Sequence, residues 1–237
     1  ESKKQNKIKT ITSKRLQNAW KTIPHVTQFD KCNISYLNDL KDEYKLNFEK
    51  HNSKLTFLPV IMKAIIYAIN AFPQFNSSLN QKTNMLILKK YFNFGIAMDT
   101  KDGLVVPVIN NIDKKNMLTL SNDLIQTNKK ATNKKLIPTD FEGGTFTISS
   151  LGSLGGDYFS PIINPPQVAI IGISKAKIEP QFIDGKFNPC LILPYSLSYD
   201  HRVIDGAEAV RFCQKINFFL ESKELLDIEF NKIDEFK

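Results

Sequence analysis

The spacing of apolar residues changes repeatedly between a helical and a strand-like period, which predicts a mixed α/β fold. Apolar positions recur at helical spacing over residues 13–20, 35–50, 61–72, 117–130 and 206–220. Short apolar or alternating runs, typical of strands, cover residues 26–33, 84–93, 94–98, 104–109, 144–149, 167–174 and 191–199. Because hairpin-like turns join several of these strands, we expect a mixed sheet covered by helices, not a regular succession of βαβ units.

Residues that start helices or form turns mark the boundaries of these elements. Ser35 and Asp205 are the expected N-caps of two helices, because their side-chain oxygens can accept from unpaired backbone N–H groups. Asp184-Gly185 predicts a hairpin turn, and residues 99–103 predict another. Residues 1–12 are polar and basic. We expect them to be a flexible linker remnant, with one catalytic domain over residues 13–237.

Composition and charge exclude several classes of protein. Of the 237 residues, 42% are hydrophobic and 24% are charged, which is ordinary globular usage. The formal net charge is +8, but the lysines are spread along the chain and mixed with acidic residues, so we expect no nucleic-acid partner. No apolar run reaches the ~18–20 residues that cross a bilayer, so we expect no membrane partner.

Cysteine usage bears on the compartment and on metal binding. Cys32, Cys190 and Cys213 are far apart and never form a CxxC pair. That pattern is typical of reduced thiols in a cytoplasmic protein, not of disulfides. Cysteine, histidine and acidic residues nowhere have the spacing of a metal site, so we expect no metal.

Of the three histidines, His201 has the sequence context of a catalytic residue. It follows an apolar strand and stands four residues before Asp205, at the kind of strand-to-helix junction where a rigid scaffold presents reactive groups. Asp200 and Arg202 flank it, and we expect these charges to set the orientation and tautomer of the imidazole. The pattern indicates a general base. We expect the other two histidines to be structural or solvated.

Residues 143–156 (GGTFTISSLGSLGG) combine a strand with a glycine-rich loop. Hydroxyl side chains beside exposed backbone N–H groups suit the stabilisation of an oxyanion, or the passage of a ligand through a narrow space. The stretch is not a phosphate-binding loop, because it contains neither GxxxxGKS/T nor GxGxxG. A GxSxG elbow is also missing, which argues against a serine hydrolase.

Several motifs, in the same order over the whole chain, resemble the C-terminal catalytic domain of the dihydrolipoamide acyltransferases, the core components of 2-oxo acid dehydrogenase complexes. The matching pieces are TIPHVTQFD (22–30), LTFLPVIMKA (55–64), FPQFNSSL (72–79), FGIAMDTKDGLVVPVI (94–109), GGTFTISSLGSLGG (143–156), INPPQVAIIGISK (163–175) and SLSYDHRVIDGAEAVRF (196–212). The resemblance implies a chloramphenicol acetyltransferase-like mixed-sheet fold covered by helices. It also implies trimers with active sites between subunits.

The resemblance also implies residue roles, in a reaction that moves an acyl group between a dihydrolipoyl thiol and coenzyme A. His201 occupies the histidine of the family motif DHRxxDG, which implies a general base. A neutral imidazole suits this task, since a thiol of pKa ~8.5 is mostly protonated at neutral pH. Ser149 matches the hydroxyl that stabilises the tetrahedral oxyanion. Asp205 matches the Asp of the same motif, where some members carry Asn. The resemblance therefore implies an orienting or structural role for Asp205.

Six residues match positions that line the coenzyme A channel in related enzymes: Lys41, Thr56, Asp99, Ser150, Ser153 and Ser174. The position of Ser174 varies among relatives. Lys41 stands where relatives can have arginine, so it keeps the charge but loses the bidentate fork for a phosphate.

The motifs look most similar to the acetyltransferase of bacterial pyruvate dehydrogenase complexes. Succinyl- and branched-chain-transferring relatives remain alternatives, as do an acyltransferase for a small alcohol or drug and a scaffolding core without catalysis.

The implied partners are further copies in a homotrimer and a cubic core of trimers, the decarboxylase and dihydrolipoamide dehydrogenase components, and a lipoyl domain that carries the lipoyl group outside this chain. Apolar residues in 61–72 and 225–236 exceed what one subunit need hide, which favours assembly.

Overall fold

A computed structural model describes residues 2 and 6–233 of the chain. Its helices are α1 (Lys7–Thr22), α2 (Ser35–Glu43), α3 (Lys45–Lys50), α4 (Phe57–Ala71), α5 (Met117–Thr132), α6 (Gly206–Glu221) and α7 (Lys223–Asn231). Its strands are β1 (His25–Asn33), β2 (Ser77–Asn80), β3 (Met85–Leu88), β4 (Phe94–Thr100), β5 (Gly103–Val105), β6 (Val108–Ile109), β7 (Phe146–Ser150), β8 (Ala169–Ile173), β9 (Lys177–Ile183) and β10 (Lys186–Asp200). None of the helices in this described part is long and apolar enough to cross a membrane.

Eight strands form one mixed sheet, as the hairpin-like turns predict. Its order is β1-β10-β8-β7-β4-β5, with β6 beside β4 and β9 beside β10. The central strands β4, β7 and β8 are parallel, whereas β10 is antiparallel to β8 and to β1. β2 and β3 form a separate antiparallel pair. The loops that follow β7 and β8 therefore leave the sheet at the end opposite to the loop that follows β10.

One face of the sheet is apolar and is covered by helices. Ile148, Ile171 and Leu197 stand side by side in register on β7, β8 and β10, and each is fully buried. Above them, α4 packs against α6. Phe212 of α6 stacks on Phe75 with 3.9 Å between ring centroids. Burial of each such ring contributes about 1.5–3 kcal/mol, so this layer is the main source of stability.

The opposite face of the same strands is small and polar, because side chains alternate along a strand. It carries Ser149, Gly172 and Ser196 in register on β7, β8 and β10. Residues 157–167 run across this face. Ile163 packs against Ile170, and Gln167 accepts a hydrogen bond from Thr147 at 2.6 Å. We call it the loop-covered face.

Three boundaries differ from the sequence expectation. α1 begins at Lys7, so part of the expected lead-in is helical, because Asn6 caps the helix by accepting from the backbone N–H of Lys9 at 2.8 Å. Ser35 is not the N-cap but the first residue of α2, and Asn33 accepts from both its backbone N–H and its hydroxyl. The helix expected over 35–50 is broken at Tyr44. Whether residues 1–12 end a linker stays a prediction.

The apolar surplus lies elsewhere than the sequence indicated. Ile61, Ile65 and Ile69 of α4 are buried within the chain itself, because α4 is the central helix of the core. Leu226 and Phe230 of α7 are buried too, and part of the expected terminal segment lies outside the described residues. Large exposed side chains are instead concentrated on β3 and on the β9–β10 hairpin: Met85, Leu86, Ile87, Leu88, Ile178, Phe182, Ile183 and Phe187.

Candidate functional site

His201 is the first residue after β10, and its backbone is fixed while its ring is free to act. Its backbone N–H donates to the carbonyl of Pro24 at 3.1 Å, which ties the turn to the start of β1. The side chain is exposed and lies 5.9 Å from the Tyr199 ring, centroid to centroid. Within the described residues no hydrogen bond reaches the imidazole. A ring so placed can accept a proton from an incoming group.

The charges that flank His201 bind each other, not the imidazole, which corrects the sequence interpretation. Both oxygens of Asp200 accept from the Arg202 guanidinium, at 2.9 Å from Nε and 2.6 Å from Nη2. The carboxylate also accepts from the backbone N–H of Arg202 at 3.0 Å, and it is only 2% exposed. This hydrogen-bonded pairing raises the pKa of Arg202. The physical reason is the turn at residues 201–203, which brings the Arg202 side chain back to the carboxylate of Asp200.

The same turn leads directly into α6. The carbonyl of Asp200 accepts from Val203 and Ile204 at 2.9 and 3.1 Å. Asp205 is the N-cap of α6, as expected, and its backbone N–H donates to Glu208 at 3.1 Å. Its side chain is exposed, and no hydrogen bond or ion pair within residues 6–233 joins it to His201. The turn therefore holds the position of His201 through main-chain bonds.

Ser149 lies near the end of β7 on the loop-covered face. In register it stands between Ala97 of β4 and Gly172 of β8, and it is half-buried. Both of these neighbours across the sheet are small. A hydroxyl so placed can donate a hydrogen bond to an oxyanion that forms above the sheet.

The structure brings some of the expected coenzyme residues together near Ser149. Asp99 lies two residues beyond Ala97, and Ser174 lies two residues beyond Gly172, so both belong to the same face and the same end of the parallel strands. Asp99 is exposed and belongs to β4 instead of the expected turn, whereas Ser174 is 2% exposed. Ser150 and Ser153 follow in the exposed segment after Ser149.

Lys41 and Thr56 form a separate group on the helices. The ammonium of Lys41 lies 5.0 Å from the centroid of the Phe57 ring and 3.1 Å from a carboxylate oxygen of Asp42. Thr56 is the exposed N-cap of α4. Among the described residues, no hydrogen bond or ion pair links either side chain to Ser149 or Asp99.

His201 and Ser149 are far apart within one chain. The register puts Ser196 of β10 two strands from Ser149, a spacing of about 10 Å. His201 lies five residues further along, about 17 Å at the usual rise of a strand. The two Cα atoms are thus roughly 20 Å apart, beyond any direct cooperation on one reacting group.

His25 has the structural role expected of it. Its Nε2 accepts from the backbone N–H of Ile163 at 3.0 Å, so Nδ1 carries the proton and donates to the carbonyl of Ile23 at 2.9 Å. The exposed ring of His51 bonds through Nδ1 to the carbonyl of Asn47 at 2.8 Å. Within the part of the chain that the structure describes, no three His, Cys, Asp or Glu residues are grouped as metal ligands would be.

The sequence reasoning missed Phe159, whose ring lies on the loop-covered face. A Cβ added at Gly172 would lie 2.6 Å from Cζ of this ring, so only glycine leaves room for it. The hydroxyl of Ser196 donates to the backbone carbonyl of Phe159. No sequence motif indicates this residue. It comes close to Ser149 because its loop crosses the sheet over Gly172, the register partner of Ser149.

Comparison with known proteins identifies the family. The model of the 2-oxoacid dehydrogenases acyltransferase (catalytic domain) matches residues 1–228. The pyruvate dehydrogenase complex acetyltransferase component of Buchnera aphidicola (from Schizaphis graminum) is 49% identical over 226 residues, which cover 94% of this chain and 55% of that protein. The Haemophilus influenzae component is 48% identical over 87% of this chain and 37% of its own length. The chain thus spans about a third to a half of the length of these relatives.

Solved structures agree with this assignment. A study of a serine, a histidine and an asparagine in the catalytic mechanism of Azotobacter vinelandii dihydrolipoamide acetyltransferase gave a structure with a TM-score of 0.92 and 44% identity, covering 95% of this chain and 93% of that one. A structure of the cubic core of the pyruvate dehydrogenase multienzyme complex matches equally well, with a TM-score of 0.92. Chloramphenicol acetyltransferase has the same fold, with a TM-score of 0.57 at 14% identity. The chain belongs to the acyltransferase catalytic-domain family of the 2-oxoacid dehydrogenases.

Proposed function

We propose that the chain transfers an acetyl group between dihydrolipoamide and coenzyme A, as the core of a pyruvate dehydrogenase complex. One observation carries the proposal. In the Azotobacter vinelandii enzyme, the studied serine precedes the histidine by 52 residues and the asparagine follows it by four, and Ser149, His201 and Asp205 have the same separations. Asp205 then stands where that enzyme has asparagine. This difference favours an orienting or structural role for it over proton transfer.

In the proposed reaction, the Nε2 or Nδ1 atom of His201 takes the proton of the coenzyme A thiol. The thiolate sulfur attacks the carbonyl carbon of acetyl-dihydrolipoamide, and the carbonyl electrons move to oxygen. The Ser149 hydroxyl donates a hydrogen bond to this oxyanion, an interaction typically worth about 3 kcal/mol of barrier. The oxyanion collapses, the dihydrolipoamide sulfur leaves, and the imidazolium returns the proton to it.

Coenzyme A would lie along the end of the parallel strands. The closeness of Asp99 and Ser174 to Ser149 on one face supports a channel there, and the exposed Ser150 and Ser153 extend it. The ammonium of Lys41, with Thr56 nearby on α4, would meet a distant part of the coenzyme such as a phosphate. The dihydrolipoyl group would arrive on a lipoyl domain outside residues 13–237.

We further propose that the active site forms between subunits of a homotrimer, and that trimers assemble into a cubic core like the one seen in the related structure. The distance of roughly 20 Å between Ser149 and His201 supports this, because a second chain must supply the missing partner. Exposed apolar side chains on β3 and on the β9–β10 hairpin provide surface for such contacts. The decarboxylase and dihydrolipoamide dehydrogenase components, and a cytoplasmic location, follow from the same proposal.

The test is acetyl transfer by the assembled chain, with His201→Ala as the key variant. Acetyl-coenzyme A formation is measured from soluble acetyl-dihydrolipoamide and coenzyme A, beside the mass of the assembly. We expect the variant to lose nearly all activity while its mass stays that of the wild type, because within the described residues nothing else depends on the imidazole. His51→Ala, a substitution of another exposed histidine, is the matched control and is expected to keep full activity.

Each alternative gives a different result in this assay. Faster transfer from a succinyl or branched-chain thioester would replace the acetyl assignment, and transfer to a small alcohol would replace the thiol acceptor. A wild-type chain that assembles but transfers no acyl group would be a scaffold only. Unchanged turnover in His201→Ala would overturn the assignment of the base.

A further inference from the structure

The loop at residues 157–160 is fastened to the sheet at each of its four residues. Asp157 forms an ion pair with Lys177, and the Tyr158 ring meets the Phe29 ring edge-on with 5.5 Å between centroids. The carbonyl of Phe159 accepts from Ser196, and Ser160 shares a hydrogen bond with Thr27. A loop held so often is a fixed part of the surface, so the position of its side chains is set by the sheet below.

The ring of Phe159 lies directly over Gly172. A Cβ at Gly172 would lie 2.6 Å from Cζ and 2.9 Å from Cε2 of the ring, closer than carbon atoms approach. Gly172 is also the register partner of Ser149, one strand away at about 4.8 Å. The ring therefore stands beside the Ser149 hydroxyl on the same face. It is only half-buried, so one side of it remains available for contact.

The other neighbours of Ser149 on this face offer little apolar contact. Ala97 and Gly172 flank it across the sheet. Thr147 lies two residues before Ser149 on β7, and Ser174 lies two residues beyond Gly172. These side chains are small or polar. Ile170 lies on this face as well, but it is only 5% exposed and packs against Ile163. Among the described residues near Ser149, Phe159 is therefore the large apolar side chain that stays half-exposed.

We propose that Phe159 is the specificity-determining residue for the acyl group, its ring forming the wall that the methyl group of an acetyl thioester contacts. This inference rests on the proposed function, in which Ser149 binds the oxyanion. If the carbonyl oxygen points to Ser149, a wall one strand away limits the length of the acyl chain attached to the same carbon. A branched or longer acyl group would meet the ring, which cannot withdraw because Gly172 and Ser196 hold it from below.

The experiment compares acyl-coenzyme A substrates with the assembled wild-type chain and with Phe159→Ala. Transfer from acetyl-, isobutyryl- and succinyl-coenzyme A to dihydrolipoamide is measured as kcat/KM. We expect Phe159→Ala to raise the isobutyryl-to-acetyl ratio of kcat/KM by about 10–100-fold, since one methylene in an apolar pocket already discriminates by about 10–200-fold. Phe159→Leu, which keeps an apolar side chain, is expected to give an intermediate ratio and supplies the test if the alanine variant fails to assemble.

Tyr158→Ala is the matched control, because it removes the neighbouring aromatic ring of the same loop without opening space over Gly172. We expect it to leave the ratio within about twofold of wild type. Equal losses for acetyl and isobutyryl in both Phe159 variants would overturn the inference and make the ring a support of the loop. A wild-type chain that transfers no acyl group would overturn the proposed function, and this inference with it.

Discussion

Two inactive variants, His201→Ala and Ser149→Ala, are expected to regain activity when they are unfolded together and refolded as mixed trimers. The reason lies in the strand order. β10 runs antiparallel to β8, so the turn that bears His201 lies at one end of the sheet and the end of β7 that bears Ser149 lies at the other. If both residues serve one reaction, as proposed, the offset of roughly 20 Å requires each intact residue to act with a residue from a neighbouring chain.

The expected recovery follows from counting interfaces. Each interface in a ring is heterologous, with the histidine from one chain and the serine from the next. At equal amounts of the two variants, the chain on the histidine side of an interface still has its histidine about half of the time. The chain on the serine side still has its serine about half of the time. Roughly a quarter of the interfaces therefore contain both residues. Activity should therefore reach about 25% of refolded wild type and fall on either side of the equal mixture.

The assay is acetyl-coenzyme A formation after refolding over a series of mixing ratios. Each variant refolded alone, and the two preassembled variants mixed without unfolding, serve as controls and should remain near their own low activities. Native mass measurement of differently tagged chains confirms that mixed trimers have formed. Recovery near zero despite mixed trimers would refute the shared site and require a catalytic pair within one chain.

Two further predictions concern single residues. Ser149→Ala should lower kcat by ~10²–10³ with little change in the KM for coenzyme A, because its hydroxyl acts on the transition-state oxyanion; a loss confined to KM would instead indicate ground-state binding. Cys32 and Cys213 should resist a thiol reagent at pH 8 until the protein is unfolded, because burial raises the pKa of both thiols, that of Cys213 to about 12, and so keeps them protonated. Rapid labelling of either cysteine in the folded trimer would contradict the burial.

The sequence predicted those elements whose signals are local. Asp205 precedes a run of apolar residues at helical spacing, and the structure has the N-cap and α6 where this pattern puts them. The turn signal at Asp184-Gly185 is local too, and it forms the expected hairpin between β9 and β10, which is one of the antiparallel pairs of the mixed sheet. A helix cap predicted from one residue type was less reliable, because other backbone groups can bind the same side chain. Ser35 was wrong as an N-cap because its hydroxyl oxygen accepts from the backbone N–H of Leu191 at 2.9 Å and not from the first turn of α2.

The chemistry of the site was less accessible from sequence, because it depends on the register of strands far apart in the chain. Asp200 and Arg202 flank His201 in sequence, yet they pair with each other, so neighbouring charge was a poor guide to the environment of the imidazole. Phe159 carries no motif at all. Its position beside Ser149 follows from the pairing of β7 with β8 and from the absence of a side chain at Gly172.

The topology also explains why folding of one chain does not complete the proposed site. A parallel strand pair sends both of its following loops to the same end of the sheet, and that end gathers Ser149, Asp99 and Ser174. A histidine that follows an antiparallel strand must lie at the other end, and its turn is locked there by the bonds of Asp200 to Arg202, Val203 and Ile204. No loop movement of a few ångströms closes a gap of about 20 Å, so the opposite end of the sheet in a second copy of the chain is the simplest source of the missing group. In the proposed arrangement the expected coenzyme residues and the base come from different chains, so we expect a folded monomer to carry both parts of the site without activity.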